Sequence, residues 1–252
     1  MKIFRYLEQG RLRIGVGEND RLWRYTGSTV FDIGKVEDGR PLPLSEVTLL
    51  PPVSPGKIVC VGRNYADHAK ELGNEPPPEP IIFLKPPSAL LAPHGTIVRP
   101  KASQRVDFEG ELAIVIGKRA KDVWATDWRD YVLGFTCAND VTARDLQKKD
   151  VQFTRGKGFD TFLPLGPCIE TTLDPSSLSL TTRVNGDLRQ NGSTASMIFP
   201  CSVLIEFISG IMTLEPGDVI LTGTPAGVGP LQAGDLIEVE IEGIGTLHND
   251  VA

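Results

Sequence analysis

Three acidic side chains alternate along one short stretch of the 252-residue sequence, at Asp107, Glu109 and Glu111. Side chains of a strand repeat with a period of two residues, so we expect all three carboxylates on one face. A solvated outer face is the ordinary reason for such a run of charge. This run, however, leads directly into the apolar stretch Leu112–Ile116, which is typical of a buried strand. A fourth acid, Asp140, stands where another apolar stretch gives way to helix-like sequence.

Together, Glu109, Glu111 and Asp140 would form a cation site made of oxygen ligands alone. Such ligands suit Mg²⁺ or Mn²⁺, and they also accommodate Ca²⁺. Zinc is disfavoured because the set contains neither Cys nor His. Two alternating glutamates and a distant aspartate are a weak signal on spacing alone, so the residues leave both the metal site and the solvated face open.

His68 and Glu71 are three residues apart in a segment whose pattern predicts a short helix from about Tyr65 to Leu72. Asn64 fits the N-cap of this helix, and Gly73 fits the position just past its end. Side chains at this spacing share one helix face, where a carboxylate can orient an imidazole that takes a proton from water. Most isolated pairs of this kind are surface contacts without a function. The Pro-rich segment that follows is typical of a lid.

Two glycine-rich stretches and two further histidines complete the candidates. Arg155 and Lys157 alternate with glycines in TRGKGF, as flexible cations that approach an anionic ligand or as solvated loop residues. The stretch Thr222–Pro230, TGTPAGVGP, lacks the Lys-Ser/Thr ending of a phosphate-binding loop. It favours a tight turn or backbone that faces a substrate. His94 and His248 are expected in loops.

The elements that must position these residues are mostly strands. Short apolar strands fill the first fifty residues and end at the proline cluster Pro51–Pro55. We place a boundary there, between a small β-rich N-terminal module at 1–54 and a catalytic domain at 55–252. Asn185-Gly186 predicts a tight hairpin, and Cys201–Leu214 has the apolar spacing of a helix. Strands outnumber helices and do not alternate with them in βαβ units, which predicts a mainly β fold with α (α+β).

Composition excludes several classes of protein. Lys plus Arg is 26 and Asp plus Glu is 32, so the net charge is −6, which argues against a nucleic-acid partner. No stretch approaches the ~18–20 consecutive apolar residues that a membrane helix needs. The first fifteen residues have no apolar signal core, so we expect a cytoplasmic protein without a membrane partner. The four cysteines are far apart and form no CxxC, which favours reduced, buried thiols.

Six segments in order carry a resemblance to a known family: KIVCVGRNYADHAKELG, IIFLKP, VDFEGELAIVIGK, NDVTARDLQ, NGSTASMIF and TLEPGDVILTGTPAGVGP. The chain resembles the fumarylacetoacetate hydrolase superfamily. Within it, the chain is similar to the short branch of acylpyruvases, oxaloacetate decarboxylases and 2-hydroxyhepta-2,4-diene-1,7-dioate isomerases. The likeness runs from about residue 55 to the end, and a small β module before it is usual in bacterial members. It implies a mixed β-sandwich roll, a homodimer and a divalent metal, Mg²⁺ or Mn²⁺.

The same resemblance implies roles for individual residues, and the sequence departs from the family pattern neither at the dyad nor at the metal ligands. The roles are metal binding for Glu109, Glu111 and Asp140, catalysis for His68, Glu71 and Lys157, and substrate binding for Arg63, Tyr65, Arg144 and Thr224.

The implied substrates are small anionic 2-oxo acids of the acylpyruvate or oxaloacetate type. The implied reaction is C–C bond hydrolysis or decarboxylation through an enolate that the metal stabilises. One alternative is oxaloacetate keto–enol tautomerisation. Another is isomerisation or decarboxylation of unsaturated seven-carbon diacids in aromatic catabolism, for which a long pocket with a second Arg at its far end would be the sign. A catalytically idle dicarboxylate-binding protein is disfavoured, because clustered charges are costly without a function.

Overall fold

The computed structural model describes residues 1–18, 20–71 and 73–252. Strands dominate, and the predicted α+β fold is confirmed. The strands are β1 (Lys2–Glu8), β2 (Arg11–Glu18), β3 (Arg21–Tyr25), β4 (Val36–Pro43), β5 (Thr48–Leu49), β6 (Ile58–Gly62), β7 (Ile81–Lys85), β8 (Leu90–Leu91), β9 (Thr96–Ile97), β10 (Val106–Phe108), β11 (Gly110–Ile116), β12 (Val132–Asn139), β13 (Thr142–Ala143), β14 (Leu163–Glu170), β15 (Ser179–Val184), β16 (Asp187–Ser193), β17 (Val219–Leu221), β18 (Gly229–Pro230), β19 (Leu236–Ile241) and β20 (Gly245–Val251). The α-helices are α1 (Ala66–Glu71), α2 (Arg144–Lys149), α3 (Thr154–Lys157) and α4 (Cys201–Ile211).

The strands form three sheets. The largest has the order β4-β3-β2-β1-β14-β12-β11-β17-β6-β7, with β5 pairing β1 and β8 pairing β14. It is mixed, because β17 and β6 run parallel while most of the other neighbours are antiparallel. A second sheet, β16-β15-β19-β20-β9, contacts the middle strands of the first, and a small third sheet has the order β13-β10-β18.

The strand β11 lies at the centre of the hydrophobic core and is buried along its whole length. Alternate side chains of a strand point to opposite faces, so its apolar run supplies two clusters. Leu112, Ile114 and Ile116 join one cluster together with the buried side of α4, and Ala113 and Val115 join the other. A strand covered on both faces explains why its sequence is continuously apolar rather than alternating.

The N-terminal strands continue the main sheet. Lys2 and Ile3 of β1 pair with Glu170 and Ile169 of β14, and the other half of the same β1 edge pairs with β5. The small module predicted at 1–54 is therefore joined to the rest of the chain by sheet hydrogen bonds as well as by the proline-rich linker.

Several local predictions agree with the structure. Asn185 and Gly186 have φ values of 53° and 84° and close the β15–β16 hairpin, as their residue types predict. All four cysteines are buried and free. The helix predicted to Leu72 is described to Glu71, and Leu72 lies outside the described residues. Among the described helices, none has the length and apolar character needed to cross a bilayer.

The prediction of a loop at His248 is wrong. This residue lies in β20, where its ring stacks on that of His94 with 5.8 Å between ring centroids. Its Nδ1 lies 3.2 Å from a carboxylate oxygen of Glu238 on the neighbouring strand β19. The sequence HNDV alternates between polar and apolar residues only weakly and does not by itself predict a strand. The strand conformation of His248 therefore depends on the pairing of β20 with β19.

Candidate active site

The acidic stretch crosses between two sheets and is not one continuous strand, so the prediction of a single strand carrying three acids is wrong. β10 ends at Phe108 and β11 begins at Gly110, with Glu109 at the crossing. The Glu109 amide donates to Oδ1 of Asn139, and the Glu109 carbonyl accepts from the amide of Asp140. Gly110 is required there, because a Cβ atom would lie 2.3 Å from the Thr182 hydroxyl oxygen. Backbone bonds thereby hold the ends of both segments together.

The crossing brings together the carboxylates of Glu109, Glu111 and Asp140. One oxygen from each lies within 4.8 Å of the others, and all three residues are buried. Lys157 Nζ donates to Glu109 Oε2 and Asp140 Oδ2, each at 2.7 Å. Lys85 Nζ donates to the other Asp140 oxygen at 2.6 Å. The arrangement is a buried cluster of acids with ammonium groups between them.

Asp107 turns away from this cluster. Its carboxylate accepts from Arg105 at 2.8 and 3.2 Å and from Arg144 Nε at 2.9 Å. Arg144 also donates to Glu109 Oε1 and to the side-chain oxygen of Gln147. Asp107 therefore orients Arg144, which in turn contacts the acidic cluster.

The two glutamates of the cluster have opposite electrostatic environments. Burial opposes ionisation of Glu109, but Lys157 and Arg144 outweigh it and hold the pKa of Glu109 well below its usual range. Burial, followed by the charges of Asp140 and Glu109, raises the pKa of Glu111 well above its usual range. The main hydrogen bond to Glu111 comes from the Gly223 amide at 2.6 Å, and among the described residues no cation lies in salt-bridge contact with it.

This imbalance fits a divalent cation. Three buried oxygen ligands from different points of the chain converge, and Glu111 is a buried carboxylate that lacks a contacting positive partner within the described ranges. Carboxylate oxygens, together with water, are ligands that Mg²⁺ and Mn²⁺ prefer. Glu109, Glu111 and Asp140 are the residues that would hold such an ion.

The imidazole of His68 forms a second chemical group beside the cluster. Its Nδ1 lies 3.1 Å from Glu71 Oε2, and its side chain is only 5% exposed although it lies on a short surface helix. Because the Glu71 carboxylate accepts the Nδ1–H, the other ring nitrogen is left free to accept a proton.

The glycine-rich segment Thr222–Pro230 supports both groups through its backbone. The Gly223 amide bonds Glu111, and the Gly227 amide donates to Glu71 Oε1 at 3.0 Å. The φ values of these two glycines are 96° and 100°, a conformation that other residues adopt only with strain. The predicted tight turn is not found in this segment, which has no hydrogen-bonded turn, and the amides of its two glycines contact protein carboxylates.

Asn64 fixes the start of α1 by long-range bonds, so its predicted N-cap role is wrong. Its side chain donates to the carbonyls of Phe199 and Thr222 and accepts from the Phe199 amide. The residue is fully buried. Helix α1 is thereby tied to the glycine-rich segment and to the segment before α4.

The three acids and His68 share one cavity of about 280 Å³. Its walls include the three acids, His68, Arg144 and Lys157, together with Arg63, Phe83, Gln147, Lys148, Phe153 and Thr224. A concave site with a few converging polar groups is the usual form of a small-molecule site. Strongly perturbed carboxylates in such a cavity mark it as the candidate active site.

A sequence-family model described as fumarylacetoacetate (FAA) hydrolase C-terminal matches residues 57–252, which is most of the chain. The chain belongs to the fumarylacetoacetate hydrolase family. A second model, described as Rv2993c-like, N-terminal, matches residues 1–52 of this family member.

Relatives of this fumarylacetoacetate hydrolase family member cover most of its length. An uncharacterized protein of Archaeoglobus fulgidus is 56% identical over 227 residues, which is 89% of this chain and 90% of the relative. Oxaloacetate tautomerase FAHD2B, mitochondrial, of Bos taurus is 50% identical over 223 residues, or 83% of this chain and 71% of the relative. The structure of 2-hydroxyhepta-2,4-diene-1,7-dioate isomerase from Mycobacterium marinum matches with a TM-score of 0.90 and 44% identity, covering 100% and 98% of the two chains.

The structure brings eight of the ten predicted site residues of this family member into one cavity, and two, Glu71 and Tyr65, do not line it. Glu71 contacts the cavity residue His68. Tyr65 does not line the main cavity and instead borders a small neighbouring one. Its hydroxyl is buried without a hydrogen-bond partner among the described residues. Thr224 lines the cavity, but its hydroxyl donates to the Gly110 carbonyl and accepts from Gln190. Thr224 can therefore offer a ligand only its remaining lone pair.

The prediction of a flexible loop at TRGKGF is wrong. Residues Thr154–Lys157 form the short helix α3, which buries Lys157 and directs Arg155 to Asp150 on the surface. Sequence reasoning also missed Lys85, which is fully buried and bonds Asp140 and the Val141 carbonyl. The available signal was the lysine at the end of the apolar strand IIFLK. A lysine that is buried with such a strand needs a charged or polar partner.

Gly227→Ala is expected to destabilise the protein and to release Glu71. An added Cβ would lie 2.2 Å from the Arg189 carbonyl oxygen at a φ of 100°, so the backbone must move. A strained backbone position costs about 1–3 kcal/mol, and moving the Gly227 amide removes its bond to Glu71. Thermal unfolding measures the loss. Gly234→Ala, at a φ of 90° with open space around it, isolates the strain alone. Equal losses in both variants would contradict the packing argument.

Proposed function

We propose that this protein is a divalent-metal-dependent enzyme that moves a proton on small 2-oxo acids of the oxaloacetate type, as a keto–enol tautomerase. The observation that carries the proposal is a single cavity lined both by an all-carboxylate cation site and by the buried imidazole of His68, which Glu71 holds from outside the cavity. The cation site suits the binding of a 2-oxo acid, and the His68–Glu71 dyad suits a proton transfer. The name of the bovine relative supports the same reaction.

His68 acts as the base in this proposal. Glu71 holds Nδ1 at 3.1 Å and is itself held by the Gly227 amide, so the imidazole is fixed in one orientation. The free ring nitrogen takes a proton from the carbon beside the 2-oxo group. The imidazolium formed in this step returns a proton to the 2-oxo oxygen, which gives the enol, and the reverse transfers regenerate the keto form. The substrate gains and loses no atom overall.

Lys157 stabilises the negative charge that develops on the substrate oxygen. Two of its three N–H groups go to Glu109 and Asp140, and the third remains for a ligand oxygen. The paired carboxylates outweigh the effect of burial and raise the pKa of Lys157, which keeps it charged. A divalent ion held by Glu109, Glu111 and Asp140 would supply Lewis acidity to the 2-oxo group when bound.

The size of the cavity favours a four-carbon substrate over the seven-carbon diacids. A volume of about 280 Å³ is at the low end of small-molecule sites. Phe83 and Phe153 meet edge to face at its wall, with 5.5 Å between ring centroids, and limit its extent. The isomerase reaction on a long unsaturated diacid therefore ranks below reactions of oxaloacetate.

Hydrolysis or decarboxylation, the first expectation from the sequence, is the second candidate. The His68–Glu71 dyad favours hydrolysis, because an imidazole that accepts a proton from carbon also accepts one from water. Decarboxylation needs no base and relies on the cation site and Lys157. Both would release pyruvate, whereas tautomerisation would not.

The proposed function is tested by adding freshly dissolved enolic oxaloacetate to the Mg²⁺- or Mn²⁺-loaded protein. We expect faster loss of enol absorbance than with metal alone, little added pyruvate, and loss of the effect in EDTA. Pyruvate release at a comparable rate would instead identify a decarboxylase, and release from acetylpyruvate would identify a hydrolase. No acceleration in any of the three assays would overturn the enzyme proposal.

A further inference from the structure

Lys85 is a buried lysine that acts on the acidic cluster from outside the cavity. Its side chain has no exposed surface, and unlike Lys157 it does not line the cavity. Its Nζ donates to Asp140 Oδ1 at 2.6 Å and to the Val141 carbonyl at 3.1 Å, and it lies 5.9 Å from the centroid of the Phe162 ring. An ammonium so enclosed cannot contact a substrate, so any effect of Lys85 on the site must pass through Asp140.

Asp140 is held at both of its carboxylate oxygens. Lys85 takes Oδ1, and Lys157 takes Oδ2 at 2.7 Å and also bonds Glu109. Because Lys157 joins Oδ2 to a second acid and lines the cavity, Oδ2 is the oxygen on the side of the cluster. The backbone of Asp140 is fixed as well, since its amide donates to the Glu109 carbonyl and its carbonyl accepts from the Thr142 hydroxyl. The Asp140 carboxylate therefore has little freedom to rotate.

The ammonium at Oδ1 makes the two oxygens of Asp140 unequal toward a cation. A cation that approached Oδ1 would meet the positive charge of Lys85, and like charges repel strongly where burial excludes water. Lys157 reaches the cavity, so its contact with Oδ2 can give way to a ligand, whereas the enclosed Lys85 has no other place for its charge. Asp140 can therefore offer a divalent ion only one of its two oxygens.

We propose that Lys85 restricts Asp140 to one ligating oxygen and thereby makes the cation site selective for Mg²⁺ or Mn²⁺ over Ca²⁺. The inference rests on the proposed function, which places a divalent ion at Glu109, Glu111 and Asp140. Mg²⁺ demands near-ideal octahedral geometry, and Mn²⁺ suits an octahedral set of oxygens as well. Ca²⁺ is larger, takes more oxygen ligands and often binds both oxygens of a carboxylate. A carboxylate fixed to one oxygen suits the first two ions and penalises the third.

The test compares Mn²⁺ with Ca²⁺ in the wild type and in Lys85→Met, which removes the ammonium and keeps a side chain of similar length. Mn²⁺ binding is measured by titration calorimetry and Ca²⁺ binding by displacement of Mn²⁺, so that both values refer to one site. In the variant, Asp140 is free to turn and to offer both oxygens, which weakens Mn²⁺ binding relative to Ca²⁺ binding. We expect the wild type to prefer Mn²⁺, and this preference to fall by about 10- to 100-fold in Lys85→Met, the usual effect of losing the partner of a metal ligand.

Lys57→Met is the matched control. Lys57 bonds the buried carboxylate of Asp218, and the two residues stand just before the parallel strands β6 and β17, whereas the acidic cluster lies beyond the far ends of these strands. The variant removes the same charge from a buried acid outside the cavity. It should lower the Tm and keep the full preference for Mn²⁺.

A second measurement needs no variant and so does not depend on the folding of Lys85→Met. Asp140 is the one aspartate of the ligand set, so aspartate labelled with ¹³C at its side-chain carboxyl separates its infrared bands from those of the two glutamates. The antisymmetric and symmetric stretches of a carboxylate lie further apart when one oxygen binds a metal than when both do. The wild type should show the wide separation with Mn²⁺ and with Ca²⁺.

Several results would overturn the inference. Equal tightening of both ions in Lys85→Met would show that Lys85 acts through its charge alone, and equal weakening would assign it a structural role. An unchanged preference in the variant, a wild type without preference for Mn²⁺, or a narrow band separation in the wild type would exclude the role as well. Enolic oxaloacetate is assayed in parallel with the wild type. Mn²⁺ binding with accelerated enol loss then shows that the role of Lys85 alone is wrong, whereas a wild type that binds no Mn²⁺ shows that the proposed function has failed too.

Discussion

Glu111→Gln is expected to abolish Mn²⁺ binding and at the same time to stabilise the metal-free protein. Glu111 is buried, its pKa is raised by burial and by Asp140 and Glu109, and its hydrogen bond comes from a backbone amide that a glutamine oxygen can still accept. Because burial and the neighbouring carboxylates disfavour the charged form of Glu111, replacing it by a neutral amide should raise the Tm of the metal-free protein.

Glu109→Gln is the matched variant, with the opposite effect on stability. It removes the same charge, but it leaves Lys157 and Arg144 buried beside a neutral amide. Breaking a buried ion pair from one side costs about 3–5 kcal/mol. We expect Mn²⁺ to raise the Tm of the wild type but of neither variant, and titration calorimetry should detect no Mn²⁺ binding to either variant. Glu215→Gln, at an exposed pair with Arg119, serves as the control. Wild-type Mn²⁺ affinity in Glu111→Gln would exclude the assigned ligand set.

His68→Gln is expected to reduce proton transfer by about 10²–10⁴-fold, the usual contribution of a positioned general base. The measurement is the exchange of the C3 hydrogens of pyruvate or oxaloacetate with D₂O, followed by NMR, because it reports C–H cleavage whatever the final product. Mn²⁺ affinity should stay near that of the wild type, since the three acids and their lysines are untouched. This separates loss of the base from loss of the metal.

Glu71→Gln should also reduce the rate of proton transfer, but by a smaller factor than His68→Gln. The glutamine keeps an oxygen for the Gly227 amide, but the negative charge that orients and supports the imidazole is lost. Asp67→Asn is the control on the same helix, because its side chain is 87% exposed and pairs only weakly with Lys70 at 3.9 Å. Unchanged exchange rates in His68→Gln would remove the dyad from the mechanism.

The sequence predicted the elements whose signals are local. The Asn185-Gly186 turn, helix α4 and the apolar run of β11 depend on residue types within a few positions, and each appears close to its predicted bounds. The convergence of Glu109, Glu111 and Asp140 was carried by the family resemblance rather than by spacing. The homodimer, the cytoplasmic location and the identity of the metal stay predictions.

The features that sequence reasoning missed depend on pairing between distant segments. The Lys85 ammonium at the end of β7 bonds Asp140, 55 residues further along the chain, although three strands separate β7 from β12 in the sheet. The side-chain amide of Asn64 forms hydrogen bonds with residues more than 130 positions away. These bonds take the place of a local helix cap. Neither contact leaves a periodic trace, so no window of sequence contains it.

The divided edge of β1 has a consequence for how the chain is made on the ribosome. Tyr6 and Leu7 find their partners at Leu49 and Thr48, so this half of the edge can close while most of the chain is still unsynthesised. Lys2 and Ile3 must wait for Ile169 and Glu170. At a synthesis rate of about 5–20 residues per second, that delay is roughly 10–30 s. During this delay, Lys2 and Ile3 present an unpaired strand edge with which strands of other chains could pair. Early pairing of Tyr6 and Leu7 with β5 keeps this unpaired edge short.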